Sequence, residues 1–557
     1  MTLPAHNSRR PILPLSGRFL HIFATLIIIA AGLLQGASSV SAAASEEKSR
    51  KPNIILILAD DIGYGDLSCY GAKHARTPNL DRLAKEGLRY TDAHSPASTC
   101  TPTRRAILTG TYSWRQQPGS SIAPGNMPLS IPPGTPTIAS LLKQAGYTTG
   151  AVGKWHLGLG GEDGPQWNDE IKPGPLEIGF DYAFLMPATG DRVPTVYIED
   201  HRIVGLDPND PIEVSYKEKI GNEPTGRENP ELLKLKHTHG HDMTIVKGVG
   251  RIGWMTGGRA ARWTDEQMAD TFAAKSVSFI ERSREQPFFL YLATHGIHVP
   301  RVPHPRFVGK SASGTRGDAI EELDDTVGQV LAALDRLKLA DDTLVLFTSD
   351  NGGVMDDGYE DVGRFDYHPN APLRGTKGTL YEGGHRVPLL ARWPGHVPAG
   401  AVSDALVAGL DFFAAFAALT NQPMPKDGAG DSFDILPTLL GQTTVAPVRP
   451  HFVAHIGGTQ GPFALRSGTW KLIEAGKGGY GKAAKASADK QTPGKQAAAK
   501  PGTAPERDRF GTKPQLFQLA DDLAEANDLA AAQPERLAEL QTLLKKIRET
   551  PRSVDVR

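Results

Sequence analysis

The chain has 557 residues, 39% hydrophobic and 22% charged, with a net charge of −1. That length can bury a large core and suits one big domain with a smaller companion. The near-zero charge excludes whole-molecule attraction to nucleic acid or to an anionic membrane, so an acidic substrate would have to be held by local basic groups.

The first 45 residues read as a targeting segment. Arg9, Arg10 and Arg18 precede an apolar run from Phe19 to Leu34, and Val40-Ser41-Ala42 fits the small-residue rule for signal-peptidase cleavage. Residues 1–42 are expected to be a signal peptide; the alternative is a single membrane anchor, since the run approaches spanning length. The mature protein is then exported, periplasmic or secreted, with no stable membrane association. Only two cysteines are present, Cys69 and Cys100, and a bridge between them is open at this point.

Residues Asn53 to Ala59 form a continuous apolar, β-branched run, the pattern of a strand buried on both faces in a parallel sheet. It ends on Asp60-Asp61, at the carboxyl end where open α/β sheets place their sites. Thr77-Pro78 starts a helix with Leu80, Leu83, Ala84 and Leu88 at helical spacing. Thr135-Pro136 is expected to open another, stopped by Gly146. A strand from Tyr147 to Val152 delivers Gly153-Lys154-Trp155-His156. Phe288 to Ala293 is a further buried strand, leading into Thr294-His295-Gly296-Ile297-His298. An amphipathic helix follows, with Ile320, Leu323, Val327, Val330, Leu331, Leu334 and Leu337 on its buried stripe. Leu344 to Thr348 is a strand ending on Asp350-Asn351-Gly352. This alternation predicts an α/β fold: a large, mainly parallel sheet flanked by helices, over residues 50–445.

Beyond about 445 the texture changes to a smaller α+β subdomain, 446–557, carrying an antiparallel sheet. Phe463 to Ile473 reads as a hairpin turning near Ser467-Gly468, Leu516-Phe517 as a short strand, and Arg536 to Ile547 as a terminal helix. Between them lies a low-complexity insertion, 477–513, rich in Lys, Ala, Gly and Pro, expected to be a surface loop with a basic glycan-binding loop as the alternative. No internal repeat is found.

Strand ends and turns thus deliver Asp60-Asp61, Cys100 to Arg104, Lys154 to His156, and Asp350-Asn351. Hard oxygen donors from two distant strand ends suit Ca²⁺ or Mg²⁺ rather than a thiophilic metal. His237, His239 and His241, in a Gly-rich polar stretch, read as a surface loop rather than a second metal site. Thr189-Gly190-Asp191-Arg192 either lines a pocket or forms an ordinary polar turn.

At this point the sequence resembles the formylglycine-dependent sulfatases, arylsulfatase A-like, on an alkaline phosphatase-like core. Cys100-Thr101-Pro102-Thr103-Arg104, followed by Leu108-Thr109-Gly110, is similar to their Cys-x-Pro-Ser-Arg…Leu-Thr-Gly signature. Gly153-Lys154-Trp155-His156, Ser349-Asp350-Asn351-Gly352, Leu373 to Gly378 and Tyr381 to Gly384 extend the likeness over almost the whole mature chain. It departs at Thr103, where Ser is usual, and at Thr111, where Arg or Lys is common. The resemblance implies that a formylglycine-generating enzyme oxidises Cys100. It implies Ca²⁺ held by Asp60, Asp61, Asp350 and Asn351 with the modified Cys100. One geminal hydroxyl of the hydrated aldehyde would attack sulfur, with Asp350 taking its proton. The other, deprotonated by His156, would collapse to the aldehyde and expel sulfate. Arg104 and Lys154 would hold the formylglycine oxygens, while Lys377 and His298, in preference to His295, would bind sulfate and assist the leaving oxygen. The implied activity is hydrolysis of a sulfated small molecule or glycan; a formylglycine-dependent phosphate or phosphonate monoester hydrolase is the alternative. Specificity is expected in residues 188–262 and the carboxy-terminal subdomain.

Overall fold

A computed structural model describes residues 51–115, 122–237, 240–355, 364–365, 367–442, 444, 446–457, 461–476 and 512–555. The expected signal peptide and nearly all of the expected insertion lie outside these. Strand Asn53–Ala59 runs at the centre of a ten-stranded sheet, parallel to Phe288–Ala293 on one side and Thr343–Ser349 on the other. Parallel pairing continues from Phe288–Ala293 to Thr148–Lys154 and on to Tyr182–Met186. The flanks turn antiparallel, through Leu389–Arg392 and Leu88–Tyr90 at one side and Ile198–Glu199 and Arg202–Ile203 at the other.

The central run is apolar throughout because alternate side chains enter two different cores. Ile54, Leu56 and Leu58 pack in one cluster with Ile138 and Leu142 of helix Ile138–Gln144 and with Phe412, Phe413 and Phe416 of helix Phe412–Leu419. Ile55 and Ile57 pack in the other with residues of helices Pro78–Lys85, Met268–Ser283 and Gly314–Leu337. The result is a mainly parallel sheet between two helical layers.

Several boundaries differ from the sequence expectation. Leu88, expected on the helix opened by Thr77-Pro78, instead starts strand Leu88–Tyr90: the helix ends at Lys85, and Gly87 passes against the Ala391 carbonyl where a Cβ would clash. The helix expected at Thr135-Pro136 begins at Ile138, because Thr137 caps it: its hydroxyl accepts from Ser140 N, and Ser140 Oγ accepts from Thr137 N. The strand expected to stop at Val152 continues to Lys154. It can do so through Gly153, whose φ is +107° and where any Cβ would strike the Ala293 carbonyl.

Strands His451–Ala454, Ala464–Ser467, Trp470–Ile473 and Gln515–Gln518 form the separate antiparallel sheet. Helix Pro534–Glu549 buries Leu540, Leu544 and Ile547 in the same core as Phe452, Leu465 and Leu472. That core also takes in Ala106 and Leu380, so the small sheet backs the segments that carry Cys100 and Lys377. Among the described residues, no helix is long and apolar enough to cross a membrane.

Candidate active site

Parallel strands place their carboxyl ends along one edge of the sheet, and the expected polar clusters meet there. Asp60 and Asp61 follow Ala59, Lys154 ends its own strand, and Asp350 and Asn351 follow Ser349. Cys100 is the first residue of helix Cys100–Thr109, whose amino end carries partial positive charge, and it is buried. Both cysteines are free thiols, which removes the Cys69–Cys100 bridge. Burial pushes the Cys69 thiol up to about 12, so it stays protonated and unreactive.

Three carboxylates and three cations interlock at this edge. Lys154 Nζ lies 2.5 Å from Asp60 Oδ2, and Lys377 Nζ 2.5 Å from Asp61 Oδ1. Arg104, one turn after Cys100, donates from Nε to Asp350 Oδ2 at 2.9 Å and from Nη1 to the Lys154 carbonyl at 3.1 Å. Asn351 Nδ2 donates to Asp61 Oδ1 at 2.8 Å. Burial pushes Asp61 upward, but Lys377, then His298 and Lys154, outweigh it and hold the carboxyl below the ordinary range. Asp350 moves the other way: burial and the neighbouring Asp60 raise it against Arg104 and Lys154. Burial alone would lower Lys377, yet Asp61 and then Cys100 hold it well above its usual value.

Ligand atoms of Asp60, Asp61 and Asp350 lie within 4.8 Å of one another. Two buried oxygens beside them, Asp60 Oδ1 and Asn351 Oδ1, accept no hydrogen bond from the described residues. Oxygen-only donors with spare lone pairs fit a hard divalent cation. A second group with ligand spacing, His94, Glu382 and His385, does not fit a metal. Both Glu382 oxygens are taken, by Lys471 Nζ at 2.9 Å and Arg466 Nη1 at 2.8 Å, and the two histidine Nδ1 atoms are each other's partners at 3.0 Å, so this group, unlike the aspartates, keeps no orphaned oxygen or nitrogen among the described residues.

The histidines have defined proton positions. His156 Nε2 lies 2.9 Å from the Ala123 carbonyl. A carbonyl only accepts, so Nε2 carries the proton and the buried Nδ1, unpaired among the described residues, keeps its lone pair. Burial, then Lys154, Arg192 and Arg104, depress His156 well below its usual value, so the ring is neutral. His298 likewise donates from Nδ1 to the Val299 carbonyl at 2.7 Å, leaving Nε2 3.9 Å from Asp61 Oδ2. Burial, followed by Lys377, depresses it well below the usual value. His295 stands 6.0 Å from His298, ring centre to ring centre, and faces Gly190.

The departures from the signature are accommodated locally. Thr103 Oγ1 donates to the Ala97 carbonyl at 2.9 Å and accepts from Ala97 N at 3.2 Å, so its hydroxyl shapes the turn before Cys100. Thr111 is buried against its own turn.

The segment Thr189 to Arg192 is a buried, ion-paired turn. Asp191 is buried, and Arg192 Nη1 lies 2.9 Å from its Oδ1. His241 Nε2 lies 3.3 Å from Asp191 Oδ2. His241 is therefore not a surface-loop residue, whereas His237 is partly exposed and His239 lies outside the described residues. Arg192 helps to depress His156, and His298 helps to hold Asp191 low, so Asp191 and Arg192 lie within electrostatic reach of the candidate residues.

Residues 52–422 match the sulfatase family model. The chain is 47% identical over 527 residues to an N-acetylgalactosamine-6-O-sulfatase of Bacteroides thetaiotaomicron, covering 93% of this chain and 97% of that one. It is 35% identical over 431 residues to human arylsulfatase A, covering 76% and 75%. A solved structure from work on the metabolism of multiple glycosaminoglycans by Bacteroides thetaiotaomicron matches with a TM-score of 0.81 and 45% identity, over 90% of this chain and 100% of that chain. With these relatives, the chain belongs to the sulfatase family and is a sulfuric ester hydrolase.

Proposed function

We propose that the protein is exported and removes the 6-O-sulfate of N-acetylgalactosamine-type sugars, using Cys100 oxidised by a formylglycine-generating enzyme and a bound Ca²⁺. The observation that carries the substrate is the 47% identity reaching across 97% of an N-acetylgalactosamine-6-O-sulfatase. Asp191, Arg192 and His241 support it: a carboxylate, a guanidinium and an imidazole at the edge of the site can hydrogen-bond sugar hydroxyls.

Asp60, Asp61, Asp350 and Asn351, with the oxidised Cys100, would hold Ca²⁺, which supplies Lewis-acid polarisation of a sulfate oxygen when bound. The hydrated aldehyde at position 100 supplies a hydroxyl nucleophile and a second hydroxyl. Asp350, oriented by Arg104, would take up the proton of the attacking hydroxyl. His156 Nδ1, neutral and with its lone pair available, takes the proton of the second. Lys377 and His298 bind the sulfate group, and the anion arriving beside His298 Nε2 favours its charged form, which can protonate the leaving oxygen. Arg104 and Lys154 would hold the oxygens of the oxidised Cys100, and Lys154 also pairs with Asp60.

Two measurements test this reading. Chelation with EDTA should silence the enzyme and Ca²⁺ should restore it; full activity after exhaustive demetallation would refute the metal assignment. With defined sugars, 6-O-sulfated N-acetylgalactosamine should exceed its 4-O-sulfated isomer by at least about 100-fold in kcat/KM. Arg192→Ala should lower activity on the sugar more than on an aryl sulfate. Equal turnover of the two isomers would overturn the substrate assignment.

A further inference from the structure

Asn370 lies outside every motif described above and touches none of the reacting groups, yet it is 2% exposed and both its amide donors and its oxygen bond to loops that carry them. Its Oδ1 accepts from Gly353 N at 2.7 Å. Its Nδ2 donates to the Gly353 carbonyl at 2.9 Å and to the Gly375 carbonyl at 3.1 Å. Gly353 follows Asn351 by two residues and Asp350 by three; Gly375 precedes Lys377 by two. The same Gly353 carbonyl accepts from Thr376 Oγ1 at 2.9 Å and from Lys377 N at 3.3 Å, so the two loops are stitched at one point.

A third loop joins them. Gly63, two residues after Asp61, lies so close to Asn370 that a Cβ there would strike Asn370 Oδ1 and the Pro369 carbonyl. Gly65 N donates to that carbonyl at 2.7 Å. The strap is itself anchored, because Tyr367 donates its hydroxyl to Asp66 Oδ1 at 2.5 Å. Asp66 in turn accepts from Gly63 N at 2.6 Å and pairs with Arg316 at 3.0 Å.

We infer that Asn370 is a positioning residue for sulfate-ester hydrolysis, its carboxamide clamping the loops of Asp350-Asn351 and Lys377 in one relative geometry while the adjoining Pro369 carbonyl ties in the loop that follows Asp60-Asp61. This rests on the Ca²⁺ reading above. A carboxamide suits the post because it offers an acceptor and two donors in one plane, the set that one backbone N–H and two carbonyls demand. Partners that orient metal ligands typically change metal affinity or activity by about 10–100-fold when removed.

The test uses the full mature enzyme with Asn370→Ala, the near-isosteric Asn370→Asp, and Asn53→Ala as control. Asn53 is equally buried and hydrogen-bonded, but lies at the opposite end of the central strand, roughly 20 Å away by strand rise. Asn370→Ala should fold with native circular dichroism, lose about 10–100-fold in kcat with KM within about threefold, and need about tenfold more Ca²⁺ for half its thermal-shift response. Asn370→Asp keeps the acceptor but turns an oxygen toward two carbonyls, and should lose as much; it decides the matter where the alanine variant fails to fold. Asn53→Ala should melt lower with unchanged Ca²⁺ titration and kcat. Wild-type Ca²⁺ response and kcat in either folded Asn370 variant would overturn the inference. Absence of any Ca²⁺ response in the wild-type enzyme would instead overturn the metal reading on which it stands.

Discussion

Cys100→Ala is expected to abolish sulfate-ester turnover, by about five orders of magnitude or more, the scale of nucleophile deletion in hydrolases. The fold should survive, since the side chain is small, buried and at the first turn of a helix whose interior is held by Ala106, Ile107 and Leu108. The chemistry is what fails. A thiol attacking sulfur would leave a thiosulfate-type adduct with no easy route to release, whereas a hydrated aldehyde has a second hydroxyl through which sulfate can be expelled. In the proposed mechanism that second deprotonation falls to His156, whose Nδ1 is unpaired among the described residues while its other nitrogen is tied to Ala123. Active protein should therefore carry an aldehyde at position 100, readable by mass spectrometry of the peptide spanning Thr99 to Arg104. Protein made without a formylglycine-generating partner should fold and be nearly inactive. Unmodified thiol at full specific activity would refute the mechanism.

How much of this was legible in the chain depends on whether a residue acts through its type and position or through folding of distant segments. Asp60-Asp61 could be placed at the carboxyl edge of the sheet because the preceding six residues, Ile54 to Ala59, are apolar on both faces, the pattern of a central parallel strand. The same logic carried Lys154 and Asp350-Asn351 to that edge. The antiparallel flank was not legible: Leu389–Arg392 and Leu88–Tyr90 are too short to separate from loop by pattern. His241 was read as surface because its neighbours are polar. Its pairing with Asp191 depends on Ile252 lying against Arg192, a bridge between segments sixty residues apart. Asn370 left no signal at all, since its partners are backbone groups that any sequence possesses.

Lys377→Ala is expected to lower kcat/KM for sulfate esters by about 10²–10³-fold, the usual cost of removing one positioned donor to developing charge. Its side chain is only 11% exposed and its ammonium reaches Asp61 Oδ1 at 2.5 Å, so it belongs to the interlocked charges rather than to solvent. Removing it leaves Asp61 with Asn351 Nδ2 as its remaining donor within hydrogen-bond distance among the described residues. Asp61 then loses the strongest influence opposing its burial, and its pKa should rise toward the ordinary carboxylate range. That has a consequence a surface lysine could not produce. The variant should bind Ca²⁺ more weakly as pH falls, because a protonated Asp61 is a poorer ligand, whereas the wild-type carboxyl stays ionised over the same range. Lys377→Arg should recover little, since a planar guanidinium on a longer stem cannot occupy the position of a compact ammonium. The fold should hold, because the backbone of the loop is fixed by Gly378 N on the Ser98 carbonyl at 2.8 Å and by Thr376 Oγ1 on Gly353. Steady-state kinetics with thermal melts at two pH values distinguish the outcomes: near-normal kcat/KM in a cleanly folded Lys377→Ala enzyme would show that the lysine takes no part in holding sulfate.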